Sequence, residues 1–229
     1  MTGRVLAASE VVVRFGTTTA VAGVDLEVAA GESVAIVGPS GSGKSSLMHC
    51  LAGLIAPTTG TVHLAGVDLG PCSAEQRAAV RRSSVGFVFQ FADLVPELSL
   101  LDNVALAREL VGSTRREAVH HASAALDRLG VGPLAARRPG QVSGGERQRA
   151  AVARALVHRP KVVFADEPTG ALDTENGTRV MDQLLEAASE AGAAVVVVTH
   201  DPAVAHRCGR SSAMRDGWLE HLARQAPAP

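Results

Sequence analysis

Apolar and polar positions along this chain change rhythm twice. Residues 6–15 and 21–28 read as two strands, joined by Gly16-Thr17-Thr18-Thr19 in a hairpin-like opening. The turn Ala29-Ala30-Gly31-Glu32 leads into the apolar run Ser33-Val34-Ala35-Ile36-Val37, and further strands are predicted at 61–64 and 85–89. Residues 73–82, between those two, have helical composition. The middle of the chain differs. Stretches 99–111, 115–129 and 144–157 favour helix, Thr114 and Glu117 stand at capping-box spacing, and Gly130 is a C-terminal stop. Gly132-Pro133 and Arg137-Arg138-Pro139-Gly140 mark loops. Then β character returns: 162–166 and 194–199 are near-continuous apolar runs of the kind buried on both faces of a parallel sheet, and 174–191 is the helix between them, closed by Gly192. This order predicts an α/β core, 1–90 with 161–222, interrupted by a helical subdomain at about 91–160, all in one domain spanning 1–229. Residues 223–229 are expected to be a frayed tail.

A chain of 229 residues can bury a sizeable core without staples. Hydrophobic residues make up 46% but aromatics only 3%, with no Tyr, so Ala, Val, Leu and Gly must build the interior. A net charge of −1 gives no general attraction to polyanions, and nucleic acid is not expected as a partner. The three cysteines, Cys50, Cys72 and Cys208, are far apart and fit neither a disulfide framework nor a zinc pattern; a reducing cytoplasm is expected, with Cys50 packed as a small apolar group. The eight histidines form no i, i+4 ligand pair, and no structural metal is expected. The N-terminus has no signal-peptide core, and the longest apolar run, 193–198, is too short to span a bilayer, so any link to a membrane must come through a partner.

The candidate chemistry begins at Gly38-Pro39-Ser40-Gly41-Ser42-Gly43-Lys44-Ser45, which satisfies G-x-x-x-x-G-K-[ST] at every fixed position. It follows an apolar strand and precedes the helix-like Ser46-Leu47-Met48-His49-Cys50-Leu51. A strand feeding a glycine loop that opens a helix is an anion trap: backbone N–H groups converge, and the helix end adds about half a positive charge. Lys44 would reach the β- and γ-phosphates, and the Ser45 hydroxyl would hold Mg²⁺.

Two more motifs carry chemistry. Val162-Val163-Phe164-Ala165-Asp166-Glu167 is an apolar strand ending in two carboxylates, where an open α/β sheet faces its ligand crevice. Asp166 can hold the Mg²⁺ shell and Glu167 can polarise an attacking water as general base. Val142-Ser143-Gly144-Gly145-Glu146 opens an Arg- and Gln-rich helix. It reads as a second backbone anion site or as a simple cap on Ser143, and one set of amides can serve both roles.

This set, Ser143-Gly144-Gly145-Glu146, an Arg/Gln-rich helix, then Asp166-Glu167-Pro168-Thr169, resembles the ATP-binding subunit of ABC transporters over about residues 6–220. The resemblance implies further roles. Gln90, after Val85-Gly86-Phe87-Val88-Phe89, stands where that family has its Q-loop glutamine, a Mg²⁺ contact. Gly170-Ala171-Leu172-Asp173 resembles the D-loop, Thr199-His200-Asp201 the switch histidine, and Phe15 takes the place of the aromatic that stacks on adenine. The implied cofactors are ATP and Mg²⁺. Nucleotide would touch Phe15, Gly38, Pro39, Ser40, Gly41, Ser42, Gly43, Lys44, Ser45, Ser46, Gln90, Ser143, Gly144, Gly145, Glu146 and Asp173, with Ser45, Gln90 and Asp166 on the metal and Lys44, Glu167 and His200 catalytic. Val142 and Glu146 depart from the commoner Leu and Gln of the family's signature.

The fold implied is a P-loop NTPase core, a mixed sheet with an antiparallel N-terminal portion, plus the helical insertion. Two copies, expected as a homodimer, would pair head to tail, the Ser143 loop of one over the ATP held by Lys44 of the other. Transport would need an integral-membrane permease, its cargo unknown, which would hold this cytoplasmic subunit on the inner face of the cell membrane. A permease helix is expected against the apolar segment 91–96, with Leu94→Asp uncoupling hydrolysis from transport. Phe87-Val88-Phe89-Gln90 and 94–99 resemble the lipoprotein-releasing and macrolide-exporter group. The alternative is a non-transport ABC ATPase of cell division, DNA repair or translation; the single cassette and lack of zinc cysteines or a long heptad run weigh against the last two.

Overall fold

The computed structural model describes residues 3–221; the tail expected at 223–229 lies outside them. Two sheets build the molecule. The first is antiparallel, in the order β2-β1-β4-β5, from β1 (Arg4–Phe15), β2 (Thr18–Ala29), β4 (Thr59–Leu64) and β5 (Val67–Asp68). The second has the order β10-β9-β3-β8-β7-β6, from β3 (Ser33–Val37), β6 (Val85–Phe89), β7 (Val162–Asp166), β8 (Ala194–Thr199), β9 (Arg210–Arg215) and β10 (Trp218–His221). It is parallel from β9 to β6, with β10 antiparallel on the edge.

The helices are α1 (Lys44–Leu51), α2 (Ala74–Ser84), α3 (Leu100–Glu109), α4 (Arg115–Arg128), α5 (Gly144–Leu156), α6 (Thr174–Glu190) and the short α7 (Pro202–Ala205). Local chemistry explains their ends. Thr114 and Glu117 form the capping box that their spacing predicts, and Gly130 and Gly192 leave α4 and α6 at φ +69° and +68°, a conformation open to glycine. The sequence reading did not anticipate β5, β9, β10 or α7. In β9, Arg-Ser-Ser-Ala-Met-Arg carries no apolar run, yet Ser211 and Ser212 are buried because β3 supplies the neighbouring strand. Tertiary pairing overrides weak local propensity there.

The parallel strands sort their side chains by alternation. Val34, Ile36, Val162, Phe164, Ala194, Val196 and Val198 enter one apolar layer with α1 and the antiparallel sheet. Ala35, Val163, Ala165, Val195 and Val197 enter a second layer, continuous with α3, α4, α5 and α6. A run that looks uniformly apolar therefore serves two cores. Phe164, fully buried, stacks against Phe87 at 6.0 Å between ring centroids; its truncation to Ala would cost about 3–5 kcal/mol. Cys50 lies in the first layer, where burial pushes its thiol up to about 11.

Between these layers the C-terminal ends of β3, β7 and β8 meet the start of α1. Each of those three ends carries a motif found in the sequence.

Candidate active site

The loop from Gly38 to Gly43 turns off β3 and is wedged between the two sheets. A Cβ at Gly38 would lie 2.1 Å from the Met214 carbonyl oxygen, and one at Gly43 would lie 2.0 Å from that of Ala20. Gly43 also sits at φ +101° and Gly41 at φ +80°. Backbone approach that close, in that conformation, requires glycine. The turn between β9 and β10 locks the loop in place: Gly217 N–H donates to Ser42 O at 3.0 Å, and Ala22 N–H donates to Gly217 O at 2.9 Å.

Helix α1 then starts with Gly43 as its N-cap and no side-chain cap, with no acidic residue in its first turn. Among the described α-helices it alone opens this way; Ser73, Ser99, Thr114, Ser143, Asp173 and Asp201 cap the others. Orphan N–H groups at a helix start need an acceptor, and here no side-chain cap supplies one, so they are open to solvent or to an external anion. Lys44, 7% exposed, folds back over the loop and donates from Nζ to Gly38 O at 2.8 Å and Pro39 O at 2.9 Å. Its ammonium is thus held over the loop. Ser42 Oγ is buried with no hydrogen-bond partner among the described residues.

The carboxylates stand where β7 ends. Asp166 accepts a hydrogen bond from Ser45. Burial pushes its carboxyl above the ordinary aspartate range, and Glu167 adds to the rise; His49, the Ser45 bond and Lys44 pull the other way. Glu167 takes φ +45°, and its N–H donates to Val198 O at 2.8 Å. A left-handed backbone on a non-glycine residue is strained, and such strain concentrates at functional sites. The Glu167 carboxylate is tied on both oxygens. Oε2 accepts from Thr199 Oγ1 at 2.9 Å; Oε1 accepts from His200 N–H at 3.0 Å and lies 2.7 Å from His200 Nδ1. Gln90, half-buried, packs its side-chain amide against Gly170, where a Cβ would come within 2.8 Å.

One open cleft of about 740 Å³ gathers Ser40, Gly41, Gly43, Lys44, Ser45, Ser46, Gln90, Asp166 and Glu167. Gly38, Pro39 and Ser42 form the loop behind that lining, and His200 joins through Glu167. The sequence reading missed Thr18, Thr19, Ala20, Asp216 and Gly217, which line the same cleft. Only Asp216-Gly217 left a local trace, as an Asp-Gly turn dipeptide. Phe15 is exposed and pairs with Thr18 across the hairpin, beside the cleft but outside its lining. A second cleft of about 700 Å³, lined by Arg4, Asp25 and Glu27 of the antiparallel sheet together with Glu32 and Arg210, contains none of the motif residues.

Ser143, Gly144, Gly145, Glu146 and Asp173 do not line the cleft of their own chain. Ser143 caps α5: Glu146 N–H donates to its Oγ at 3.3 Å, and Glu146 Oε2 accepts from Ser143 N–H at 2.7 Å and Oγ at 2.9 Å. The Ser143 backbone bond holds the Glu146 carboxyl below its ordinary range. Asp173 caps α6 through Asn176, and its carboxyl is likewise lowered. Gly144 packs on Leu172 and Gly145 on Asn176, so the two loops form one surface.

The metal ligands expected from the sequence are hard oxygen donors, a hydroxyl hydrogen-bonded to a partly buried carboxylate with an amide nearby, and that set suits Mg²⁺. No helix among the described residues is long and apolar enough to cross a membrane.

Comparison with known proteins gives the family and the fold. The family model described as ABC transporter matches residues 21–170. Lipoprotein-releasing system ATP-binding proteins LolD are similar at 46% identity in Shewanella sp. (strain MR-4), covering 92% of this chain and 91% of the relative, and at 45% in Legionella pneumophila (strain Paris), covering 86% and 87%. A solved dimeric structure of the ATP-binding cassette MJ0796, in a post-hydrolysis state bound to ADP and Pi, superposes with a TM-score of 0.87 at 34% identity, over 97% of this chain and 100% of that one. The chain belongs to the ABC transporter family, as an ATP-binding and ATP-hydrolysing subunit with the α/β fold of its cassettes.

Proposed function

We propose that two copies of this chain close head to tail around two Mg-ATP molecules and drive a membrane permease of the lipoprotein-releasing type from its cytoplasmic face. The observation that carries this reading is the division of labour between two helix starts: α1 offers open amides beside Lys44, while Ser143, exposed at the head of α5, lies outside that cleft. A partner copy is the natural source of the second half. The similar cassette of known structure is dimeric, and the similar LolD proteins carry lipoprotein release in their name.

In this reading the α1 amides and Lys44 grip the phosphates. Ser45, Asp166 and Gln90 would hold Mg²⁺, which supplies charge neutralisation at the transferring phosphoryl group. Glu167 takes the proton of the attacking water, and His200, against its carboxylate, orients it. Phe15 stacks on the base from the hairpin. Ser143, Gly144, Gly145, Glu146 and Asp173 act on the nucleotide of the other copy. Loss of the γ-phosphate removes what both halves hold, and the pair loosens. Glu167→Gln keeps the hydrogen-bonding shape and removes the base. It should bind Mg-ATP, lose at least about a hundredfold in turnover and elute as a dimer on a sizing column. Elution as a monomer at saturating Mg-ATP, alone and with permease present, ends the proposal.

The permease site needs a correction. Leu94 is 9% exposed and packed into the helical core layer, so it does not line a groove. Leu94→Asp would bury an unpaired charge and destabilise the fold by about 3 kcal/mol or more instead of uncoupling it. We place the groove instead at a cleft of about 440 Å³ that Asp93 of that segment lines together with Phe87, Phe89, Ala107, Leu110 and Ala155, with Arg81 and Arg82 also in its wall. Leu110, 58% exposed, is the residue to change. Leu110→Asp should spare ATP binding and folding while abolishing permease-stimulated hydrolysis; unchanged stimulation would move the docking site elsewhere.

A further inference from the structure

The segment around Gln90 is held on both sides by one helix, and that helix is the one Ser143 opens. On the N-terminal side, Gln148 of α5, 2% exposed, donates from Nε2 to Phe89 O at 2.8 Å. On the C-terminal side, Ala92 and Asp93 are consecutive non-glycine residues at φ +64° and +46°. Two left-handed residues in a row are unfavourable for side chains with a Cβ and persist only where neighbours enforce them. Arg154, also of α5, supplies the enforcement. Its guanidinium donates from Nη2 to Ala92 O at 2.8 Å and from Nη1 to Asp93 O at 2.5 Å. Farther along, Asn103 of α3, 1% exposed, fastens Val95, accepting from its N–H at 2.7 Å and donating to its carbonyl at 3.0 Å. The residue before Gln90 and the second and third residues after it are therefore pinned to α5, while Gln90 itself lines the nucleotide cleft.

We infer that Gln148 and Arg154 are positioning residues that lock Gln90 to the helix carrying Ser143, so that a displacement of α5 and the reach of Gln90 toward the phosphates are one motion. The inference rests on the reading of Gln90 as a residue of the hydrolytic site. It assigns to two side chains, neither of them in the nucleotide cleft, the mechanical link between the phosphate end of one site and the loop offered to the other. The planar guanidinium matters here because its two Nη groups sit in a fixed fork and each meets a different carbonyl, whereas an ammonium would have to reach both from one nitrogen on a shorter stem.

The test is a double-mutant cycle on the full chain, measuring kcat for ATP hydrolysis, affinity for a fluorescent ATP analogue, and Tm. Arg154→Lys keeps the charge but replaces the fixed two-nitrogen fork with one nitrogen of shorter reach. It should lower kcat about tenfold with affinity unchanged, as a small misplacement near a reacting group does. In a Gln90→Ala background the same change should lower kcat less than twofold, because the group it positions is gone. A purely structural role predicts equal factors in both backgrounds, and that result overturns the inference, as does a wild-type kcat for Arg154→Lys. If Gln90→Ala alone hydrolyses ATP at the wild-type rate, the reading of Gln90 fails first and this inference falls with it. Should Arg154→Lys lower Tm sharply, Gln148→Met, which removes the donor at similar volume, runs the same cycle with the same two decisive outcomes.

Discussion

The starts of α1 and α5 look alike in the sequence and are opposites in the structure. Each has glycines and a serine at the head of a helix, and each reads as a backbone anion site. At α1 the glycines are compulsory, the first-turn amides have no side-chain cap, and Lys44 is held above the loop that carries them. At α5 Ser143 and Glu146 close a capping box, with Ser143 exposed and Gly145 buried behind it. The difference teaches what separates a site from half a site. An anion trap keeps its donors unsatisfied inside its own chain, at a cost in stability, whereas a loop that waits for a partner's ligand satisfies itself meanwhile. In the proposed dimer, Ser143 would have to give up its bond to the Glu146 carboxylate before its hydroxyl could donate to a phosphate.

The largest effect that could break this contrast comes from adding one carbon to each loop. Gly43→Ala drives a Cβ into the Ala20 carbonyl at a left-handed φ. It should cost at least about 3 kcal/mol of stability and abolish ATP binding. Gly144→Ala meets only the end of the Leu172 side chain, at 3.3 Å. It should change stability by less than about 1 kcal/mol and leave the affinity of a single chain for ATP as it was. Thermal melts and nucleotide titrations read both. Equal damage would mean that the two loops are built alike.

A smaller effect concerns protons. Asp166 is raised by burial and Glu146 is lowered by its cap, so the two carboxylates respond oppositely to acid. A raised carboxyl charges at a stability cost that disappears as pH falls through its folded value. A lowered one contributes stability above its ordinary range and loses it as pH falls through the depressed value. Without nucleotide, Asp166→Asn should therefore melt above wild type at pH 7, and the gap should narrow toward pH 4. A gap that widens on acidification would reverse the assignment.

The smallest effect is the most specific. Glu146→Gln preserves the capping geometry and removes the charge beside the incoming phosphate. Stability should shift by less than about 0.5 kcal/mol. In a Glu167→Gln background, the Mg-ATP dimer should tighten severalfold by analytical ultracentrifugation. A weaker dimer would show that the carboxylate, not the helix end, makes the contact.

Much of this was legible because the chemistry is local. The phosphate loop needs a strand, glycines in sequence and a helix, all on one continuous stretch from Ser33 to Leu51, and its pattern has few other uses. The runs 162–166 and 194–199 gave their strand bounds directly, and Thr114 with Glu117 marked a helix start, because apolar periodicity and capping are short-range effects. Leu94 shows the limit. Its segment reads as apolar and therefore available, but whether an apolar side chain faces a groove or a core depends on what packs over it. The bonds from Gln148 and Arg154 to the segment around Gln90 cross about sixty residues, and no spacing rule reports them.

By itself the sequence determined the fold class, the phosphate loop, the acidic strand end and the family, since these rest on neighbours in the chain. Tertiary structure alone decided that β9 and β10 form at all, that their turn buttresses the phosphate loop, that Glu167 and His200 touch, and that the Ser143 loop faces away from its own cleft. Each of these is a contact between distant segments, fixed only when two sheets and a helical layer pack at once. Side-chain patterns encode which faces must be buried, whereas the meeting of particular atoms follows from the closed geometry of the whole.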